Sequence, residues 1–119
     1  MSTVPAPKRG EIWLVDFDPA VGTEIRKTRP ALVMSRDDIG NLPLRVVVPI
    51  TDWKPIFVNF QWFVDMGDFW GMGLLKHSGA DAFQTKSLSL KRFARQLGTA
   101  EPSLVEEVAL AISDCVGAA

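Results

Sequence analysis

The sequence has almost none of the residues that small proteins use for covalent or metal crosslinks. Its 119 residues include one cysteine, Cys115, and one histidine, His77. A single cysteine permits no internal disulfide, and these two residues cannot supply the four ligands of a structural zinc site. An active site in which two histidines act as acid and base is excluded as well. A hydrophobic core must therefore hold the fold.

Long apolar runs and a large net charge are absent too. No run approaches the roughly 20 residues of a membrane span, and the N-terminal residues lack the apolar core of a signal peptide. The 13 lysines and arginines oppose 14 aspartates and glutamates, so the total charge does not indicate a nucleic-acid-binding protein. Residues 76–95, however, carry five cations and one acid, which predicts a locally basic surface. We expect one soluble, cytoplasmic domain spanning residues 1–119.

The hydrophobic pattern predicts short strands followed by one helix. Apolar residues alternate with polar ones or form short runs bounded by turn residues, which is typical of strands. Strands are predicted at residues 11–17, 30–34, 45–51, 56–65, 72–76, 82–87 and 95–97. Ser89 can cap one helical turn, and residues 101–116 have helical spacing with Thr99 or Ser103 as the cap. Residues 1–9 are predicted to form a flexible arm. This order predicts a mainly β fold, a small barrel or curled sheet with a C-terminal α-helix.

A polar segment joins the first two predicted strands. We call residues 22–30 the basic segment, because it holds Glu24 together with Arg26, Lys27 and Arg29. Loops that are mounted on rigid strands collect binding and catalytic groups, since the scaffold fixes side chains that remain accessible. The basic segment is therefore the first candidate for a functional site.

Several short motifs agree in order and spacing with one known family. They lie at residues 8–13, 16–19, 22–24, 29–33 and 48–51, with further similarity at 83–87 and at the turn 97–98. Together they resemble the MazF/PemK family of toxins from type II toxin–antitoxin systems, over residues 8–116. The chain departs from the family pattern at Ile25, where many members have glutamine, and at Phe83, where they have aspartate.

The resemblance implies a fold and an activity. The implied fold is a small Src-homology-3-like barrel, and the implied assembly is usually a homodimer. The implied activity is cleavage of single-stranded RNA without a metal or other cofactor, which inhibits growth. The RNA's own 2′-hydroxyl is the nucleophile, and the products carry 2′,3′-cyclic phosphate and 5′-hydroxyl ends. The implied partners are single-stranded RNA and a small acidic antitoxin that holds the toxin inactive.

The family's functional arginine falls on Arg29 and its functional threonine on Thr51. A guanidinium suits the stabilisation of a charged phosphate, because its fork of N–H donors matches phosphate oxygens bidentately. Proton transfer, which the family account also assigns to this arginine, suits it less, because a guanidinium with a pKa above about 12 is almost never neutral. Glu24 is a third catalytic candidate, either as the base or as the residue that orients Arg29. Candidate RNA-binding residues are Thr23, Arg26, Lys27, Trp53, Gln84 and Lys86.

Other interpretations compete with these. Arg29 can form an ordinary surface ion pair with Glu24 or Asp16. Asp16, Asp18 and Glu24 form a weak candidate for a magnesium site, because Asp18 and the following proline indicate a turn and no further ligand spacing supports it. A different class of function is a non-catalytic barrel that binds a protein target such as DNA gyrase.

Overall fold

A computed structural model describes residues 6–118 as one antiparallel sheet and one α-helix. The strands and the helix are β1 (Glu11–Asp16), β2 (Thr28–Val33), β3 (Leu44–Asp52), β4 (Phe63–Asp65), β5 (Ser78–Asp81), β6 (Lys86–Ser89), β7 (Phe93–Thr99) and α1 (Pro102–Cys115). The strand order is β4-β5-β3-β2-β1-β7, and β6 pairs with β3. The predicted mainly β class with a C-terminal helix is confirmed, although within the described residues the sheet does not close into a complete barrel.

The long strand β3 organises the sheet. One of its edges pairs with β2, so that Ala31 lies opposite Pro49. The other edge is shared, since β6 pairs with the first half of β3 and β5 with the second half. Two sequence-distant segments are thereby brought beside β3, on the edge opposite β2.

Alternation along the strands produces two hydrophobic clusters on opposite faces of the sheet. The larger one lies between the sheet and α1 and includes Ile12, Leu32 and Val108, all fully buried. The smaller one includes Val15 and Val33. Because successive strand residues point to opposite faces, each of these strands contributes to both clusters.

The predicted helix over 101–116 is confirmed as α1, but its start differs from the prediction. Glu101 occupies the N-cap position without a side-chain cap hydrogen bond, and proline occupies the first turn. Proline suits that position, because its fixed φ fits a helix and its missing N–H would have no partner there. The predicted caps Thr99 and Ser103 are therefore wrong. The predicted turn after Ser89 is confirmed, with the Ser89 hydroxyl accepting from the Lys91 N–H at 3.1 Å.

The predicted strand over 56–65 is wrong for most of its length. Pro55–Asn59 is a 3-10 helix with proline in its first turn, and only Phe63–Asp65 forms a strand. Val58 is 77% exposed, so it does not belong to a buried strand face. The aromatic residues of this segment pack on one another instead, as in the Phe57–Phe63 stack at 3.7 Å. The alternation of apolar and polar residues over 56–65 therefore reflects packing among aromatic side chains and not a strand.

Two further strand predictions are corrected. Residues 72–76 hold the end of the 3-10 helix Trp70–Met72 and then an irregular segment, while residues 82–87 begin with the 3-10 helix Ala82–Gln84 before β6. Gly73 explains the first correction: its φ is +79°, and a Cβ there would lie 2.0 Å from the Leu97 carbonyl oxygen. The chain turns sharply at this point and its backbone packs directly against β7. Strand β5 was not predicted.

Part of the predicted flexible arm, residues 1–5, lies outside the described residues. The remainder is attached to the sheet: Pro7 is buried, and its carbonyl accepts a hydrogen bond from Arg45 Nε at 2.7 Å. The Arg9 backbone N–H donates to Asp37 at 2.8 Å, and its guanidinium donates to the Met34 carbonyl.

Candidate active site

Arg29 and Thr51 line the same groove. Arg29 lies near the start of β2 and Thr51 near the end of β3. The register that places Ala31 opposite Pro49 would, if continued by two residues, place Arg29 opposite Thr51. The groove has a volume of about 420 Å³ and is open to solvent. Two residues that are 22 positions apart in the sequence thus line one groove because their strands are neighbours.

The Arg29 guanidinium is fixed at one end and available at the other. Its Nε donates to the Arg26 carbonyl at 3.0 Å, and the side chain is half-buried. Within residues 6–118, neither Nη group has a hydrogen-bond or ion-pair partner. The predicted alternatives, ion pairs with Glu24 or Asp16, are not formed among the salt bridges of this part of the chain. A guanidinium held in this way presents two N–H groups to a ligand.

Two further cations line the groove, and neither was predicted as a site residue. Arg95 lies on β7 opposite Leu14, and Lys76 precedes β5. Lys76 Nζ forms a surface ion pair with Asp52 at 3.2 Å, whereas Arg95 has no side-chain partner among the described residues. The sequence signal for these two residues was that residues 76–95 carry more cations than acids. It did not reveal which of those cations share a surface with Arg29, because that depends on β1 lying between β2 and β7.

Glu24 lies outside the groove. Its Oε1 accepts a hydrogen bond from the Val21 N–H at 2.7 Å, and its Oε2 lies 3.8 Å from Lys86 Nζ. One carboxylate oxygen of Glu24 therefore accepts a hydrogen bond within the loop, and the other lies near the Lys86 ammonium. Among the described residues, no hydrogen bond or ion pair joins Glu24 to Arg29.

Gln84 also contacts the basic segment. Its side-chain oxygen accepts from the Ile25 N–H at 2.5 Å, and its side-chain nitrogen donates to Asp81 at 3.2 Å. Asp81 is only 6% exposed, and this burial raises the pKa of its carboxyl, although hydrogen bonds from Gln84 and Phe83 act in the opposite direction. Gln84 and Lys86 thus lie beside the basic segment and not beside Thr51.

The other predicted RNA-binding residues of the basic segment are exposed. Thr23 and Lys27 face solvent, and Arg26 Nη2 donates to the Gly22 carbonyl at 2.7 Å. Lys27 has a φ of +68°, a left-handed conformation that is unusual for a residue with a side chain. These side chains do not line the groove.

Trp53 is packed against the protein on two sides. Its ring stacks on His77 with centroids 5.3 Å apart, and a Cβ added to Gly79 would lie 2.8 Å from Trp53 Cε3. Trp53 follows β3 directly, two residues beyond Thr51, but does not line the groove. His77 is exposed and lies 2.7 Å from the Asp65 carboxylate.

The weak magnesium candidate does not form a site in the described part of the chain. Within residues 6–118, no three His, Cys, Asp or Glu side chains are grouped so that they could hold a metal ion. The Asp16 carboxylate instead accepts from the Asp18 N–H at 3.0 Å, which is a local turn contact.

No described helix is long and apolar enough to cross a membrane.

Comparison with known proteins agrees with the resemblance seen in the sequence. The chain is 35% identical over 97 residues to the endoribonuclease MazF9 of Mycobacterium tuberculosis, covering 76% of this chain and 80% of that protein. It is 34% identical over 116 residues to the endoribonuclease toxin ChpB of Escherichia coli, covering 92% and 93% of the two chains. The crystal structure of MazF from Deinococcus radiodurans superposes with a TM-score of 0.78 at 26% identity, covering 93% of this chain and 96% of that one.

A second crystal structure, of MazE–MazF from the same organism, gives a TM-score of 0.73 at 25% identity over 99% of this chain. Residues 8–116 match the family described as the PemK-like, MazF-like toxin of type II toxin–antitoxin systems. The match covers nearly all of the described residues, including the groove and the basic segment. This chain therefore belongs to the PemK-like, MazF-like family of type II toxins.

Proposed function

We propose that this toxin is an endoribonuclease that cleaves single-stranded RNA without a metal ion and binds the scissile phosphate in the groove. The observation that carries the proposal is that Arg29 and Thr51, from two strands, line one groove together with Lys76 and Arg95. RNA is a polyanion whose backbone contacts come mainly from arginine, lysine and hydroxyl side chains. The relatives named as endoribonucleases support the same activity.

In the proposed reaction, the 2′-oxygen of the RNA attacks the adjacent phosphorus, and the bond from phosphorus to the 5′-oxygen breaks. The 2′-hydroxyl loses its proton to a base and the departing 5′-oxygen gains one, giving a 2′,3′-cyclic phosphate and a 5′-hydroxyl. The phosphorane carries extra negative charge, which the Arg29 Nη groups and the Thr51 hydroxyl stabilise. Because Glu24 is bonded to Val21 and lies near Lys86, its position favours anchoring of the basic segment over proton transfer.

Residues in and beside the basic segment extend the proposed RNA contact. Arg26, Lys27 and Lys86 add positive charge, and Thr23 adds a hydroxyl group. The proposed state of the toxin is a cytoplasmic homodimer. Its proposed inhibitor is a small acidic antitoxin whose carboxylates compete with RNA phosphate for the same cations.

The test is cleavage of a long unstructured RNA by the purified protein in excess EDTA, with analysis of the product ends. Arg29→Ala is the test variant. Arg36→Ala is its matched control, because Arg36 is exposed and paired with Asp38 away from the groove. We expect cuts at recurring short sequences with 2′,3′-cyclic phosphate ends from the wild type and the control, and none from Arg29→Ala.

Each other outcome contradicts a stated part of the proposal. Cleavage that appears only with added magnesium contradicts the metal-independent mechanism. Full activity in Arg29→Ala removes this residue from the reaction. RNA that stays intact with and without magnesium contradicts the nuclease and favours the non-catalytic barrel that binds a protein.

A further inference from the structure

A continuous set of hydrogen bonds joins a buried carboxylate to the basic segment. Asp81 Oδ1 accepts from the Phe83 N–H at 3.2 Å, and Asp81 Oδ2 accepts from Gln84 Nε2 at 3.2 Å. The opposite end of the Gln84 amide, Oε1, accepts from the Ile25 N–H at 2.5 Å. One side chain thus connects the 3-10 helix Ala82–Gln84 to the backbone of a loop that lies 59 residues earlier. We call Asp81 and Gln84 the latch.

The chemistry of the two neighbours fixes the orientation of the Gln84 amide. A carboxylate only accepts hydrogen bonds, and a backbone N–H only donates them. The NH₂ group must therefore face Asp81 and the carbonyl oxygen must face Ile25. The reverse orientation would set two acceptors against each other at Asp81 and two donors against each other at Ile25, which costs the desolvation of buried polar groups.

The backbone that the latch holds also holds Arg29. The Ile25 amide is one residue before the Arg26 carbonyl, and that carbonyl accepts from Arg29 Nε at 3.0 Å. The next residue, Lys27, has the left-handed φ of +68°, which is unfavourable for a residue that carries a side chain. Lys27 therefore places an unfavourable backbone conformation next to the Arg26 carbonyl. Contacts from outside the loop, such as the Gln84 hydrogen bond to Ile25, stabilise this conformation.

From this geometry we propose that Asp81 and Gln84 are positioning residues, which hold the basic segment so that the Arg29 guanidinium is presented to the phosphate in the groove. The proposal rests on the proposed ribonuclease function. It gives Gln84 a different role from the RNA contact predicted from the sequence, because both ends of its amide are bonded within the protein. It also gives a role to Asp81, which the sequence did not single out.

The experiment exchanges donor and acceptor across the latch. In Gln84→Glu, the side chain still accepts from Ile25 but places a carboxylate against the Asp81 carboxylate. In Asp81→Asn, the new NH₂ group faces a donor in either orientation of the amide, the Gln84 NH₂ group or the Phe83 N–H. The double variant Asp81→Asn/Gln84→Glu restores one donor facing one acceptor, and an oxygen still accepts from Ile25. Neither single variant has this pairing of one donor with one acceptor.

We expect each single variant to lower kcat for a short RNA substrate by about 10- to 100-fold, the size of effect that small misplacement of a catalytic group produces. KM should change little, and the double variant should regain most of the lost kcat. A kcat that stays low in the double variant, with thermal unfolding like that of the wild type, would overturn the proposal and indicate that Gln84 contacts RNA. Wild-type kcat in both single variants would overturn it too.

A second readout needs no RNA and separates this proposal from the proposed function. Amide hydrogen exchange of Ile25, measured by NMR on the free protein, should be faster in Gln84→Ala and in both charge-altering single variants. It should return to the wild-type rate in the double variant. Unchanged exchange overturns the latch even if the protein is a nuclease, and restored exchange supports the latch even if wild-type protein leaves RNA intact.

Discussion

The groove and the latch contain similar polar side chains but use them in opposite ways. In the groove, the Arg29 Nη groups, the Thr51 hydroxyl and the Arg95 guanidinium have no side-chain partner among residues 6–118. In the latch, both oxygens of Asp81 and both ends of the Gln84 amide are bonded within the protein. Donors that are left open can bind a ligand, whereas donors that are bonded fix a geometry.

This contrast separates residues that a sequence motif groups together. Gln84 and Lys86 are close in sequence and both suggest RNA binding, yet one is committed to the backbone of the basic segment and the other lies near Glu24. Substitutions in the groove should therefore change the reaction or the affinity for RNA directly. Substitutions in the latch should change kcat through the placement of Arg29.

The largest effect is expected where an open donor meets the phosphate. Arg29→Lys keeps the charge but loses the fork of N–H groups, so we expect kcat to fall by about 10²- to 10³-fold. The measurement is steady-state cleavage of a short RNA, with thermal unfolding as a check on the fold. Arg36→Lys makes the same change in an exposed residue outside the groove and should have wild-type kcat. If Arg29→Lys retained most of its activity, charge alone would suffice and the bidentate contact would not be needed.

The side chains of the groove keep their positions only if the surrounding backbone is rigid, and the next prediction tests that rigidity at Gly73. Gly73 lines the groove, and a Cβ there would lie 2.0 Å from a backbone oxygen, so Gly73→Ala should lower the free energy of unfolding by about 3 kcal/mol. Gly67→Ala is the matched control, because Gly67 has a similar φ of +71° but open space around it. It should cost only about 1 kcal/mol, the backbone contribution alone. Equal costs in urea unfolding would show that the close contact with β7 contributes nothing.

A smaller effect should distinguish affinity from chemistry within the groove. Arg95→Gln removes a cation that has no protein partner, so we expect KM to rise about fivefold with little change in kcat. The slope of log KM against log salt should decrease by about one, as expected for the loss of one phosphate contact. Lys91→Gln is the control, since Lys91 is exposed and does not line the groove. A loss of kcat in Arg95→Gln would instead place Arg95 in the chemical step.

Much of the fold could be predicted from short-range patterns. Alternation located β1, short apolar runs bounded by turn residues located β2 and β3, and helical spacing located α1. The segment around Val58 was mispredicted because aromatic residues that pack on one another in a 3-10 turn also alternate in sequence. Strand β5 has only four residues, Ser78–Asp81, and includes a glycine, which leaves little strand signal to detect.

The residues of the candidate site also fall into two groups, those that the sequence predicted and those that it did not. Arg29 and Thr51 were found from motifs that lie within their own strands. Arg95, Lys76 and the role of Asp81 depend on which strands are neighbours, and a single sequence does not contain the register that brings them together. The distinction between an open and a bonded amide at Gln84 is a property of the packed structure.

The last and smallest predicted change is in the pH dependence of stability, which follows from the burial of the Asp81 carboxyl. Burial raises the pKa of Asp81 in the folded protein above the ordinary value of 3.8, so the folded state binds its proton more tightly than the unfolded state does. Wild-type stability should therefore decrease as pH rises from about 3.8 through the raised pKa, and be constant with respect to this group above it. Asp81→Asn removes this titration.

The difference in unfolding free energy between wild type and Asp81→Asn, measured by urea unfolding over that pH range, isolates Asp81, because all other carboxyl groups are common to both proteins. Cys115, on the packed face of α1, does not interfere. Burial raises the pKa of its thiol above 9.0, and the charges of Asp81 and Asp114 act in the same direction, so it stays protonated throughout. We expect the wild type to lose stability relative to the variant as pH rises. Parallel profiles would mean that the Asp81 carboxylate is compensated by its two hydrogen bonds, and the latch would then hold the basic segment without a cost to the fold.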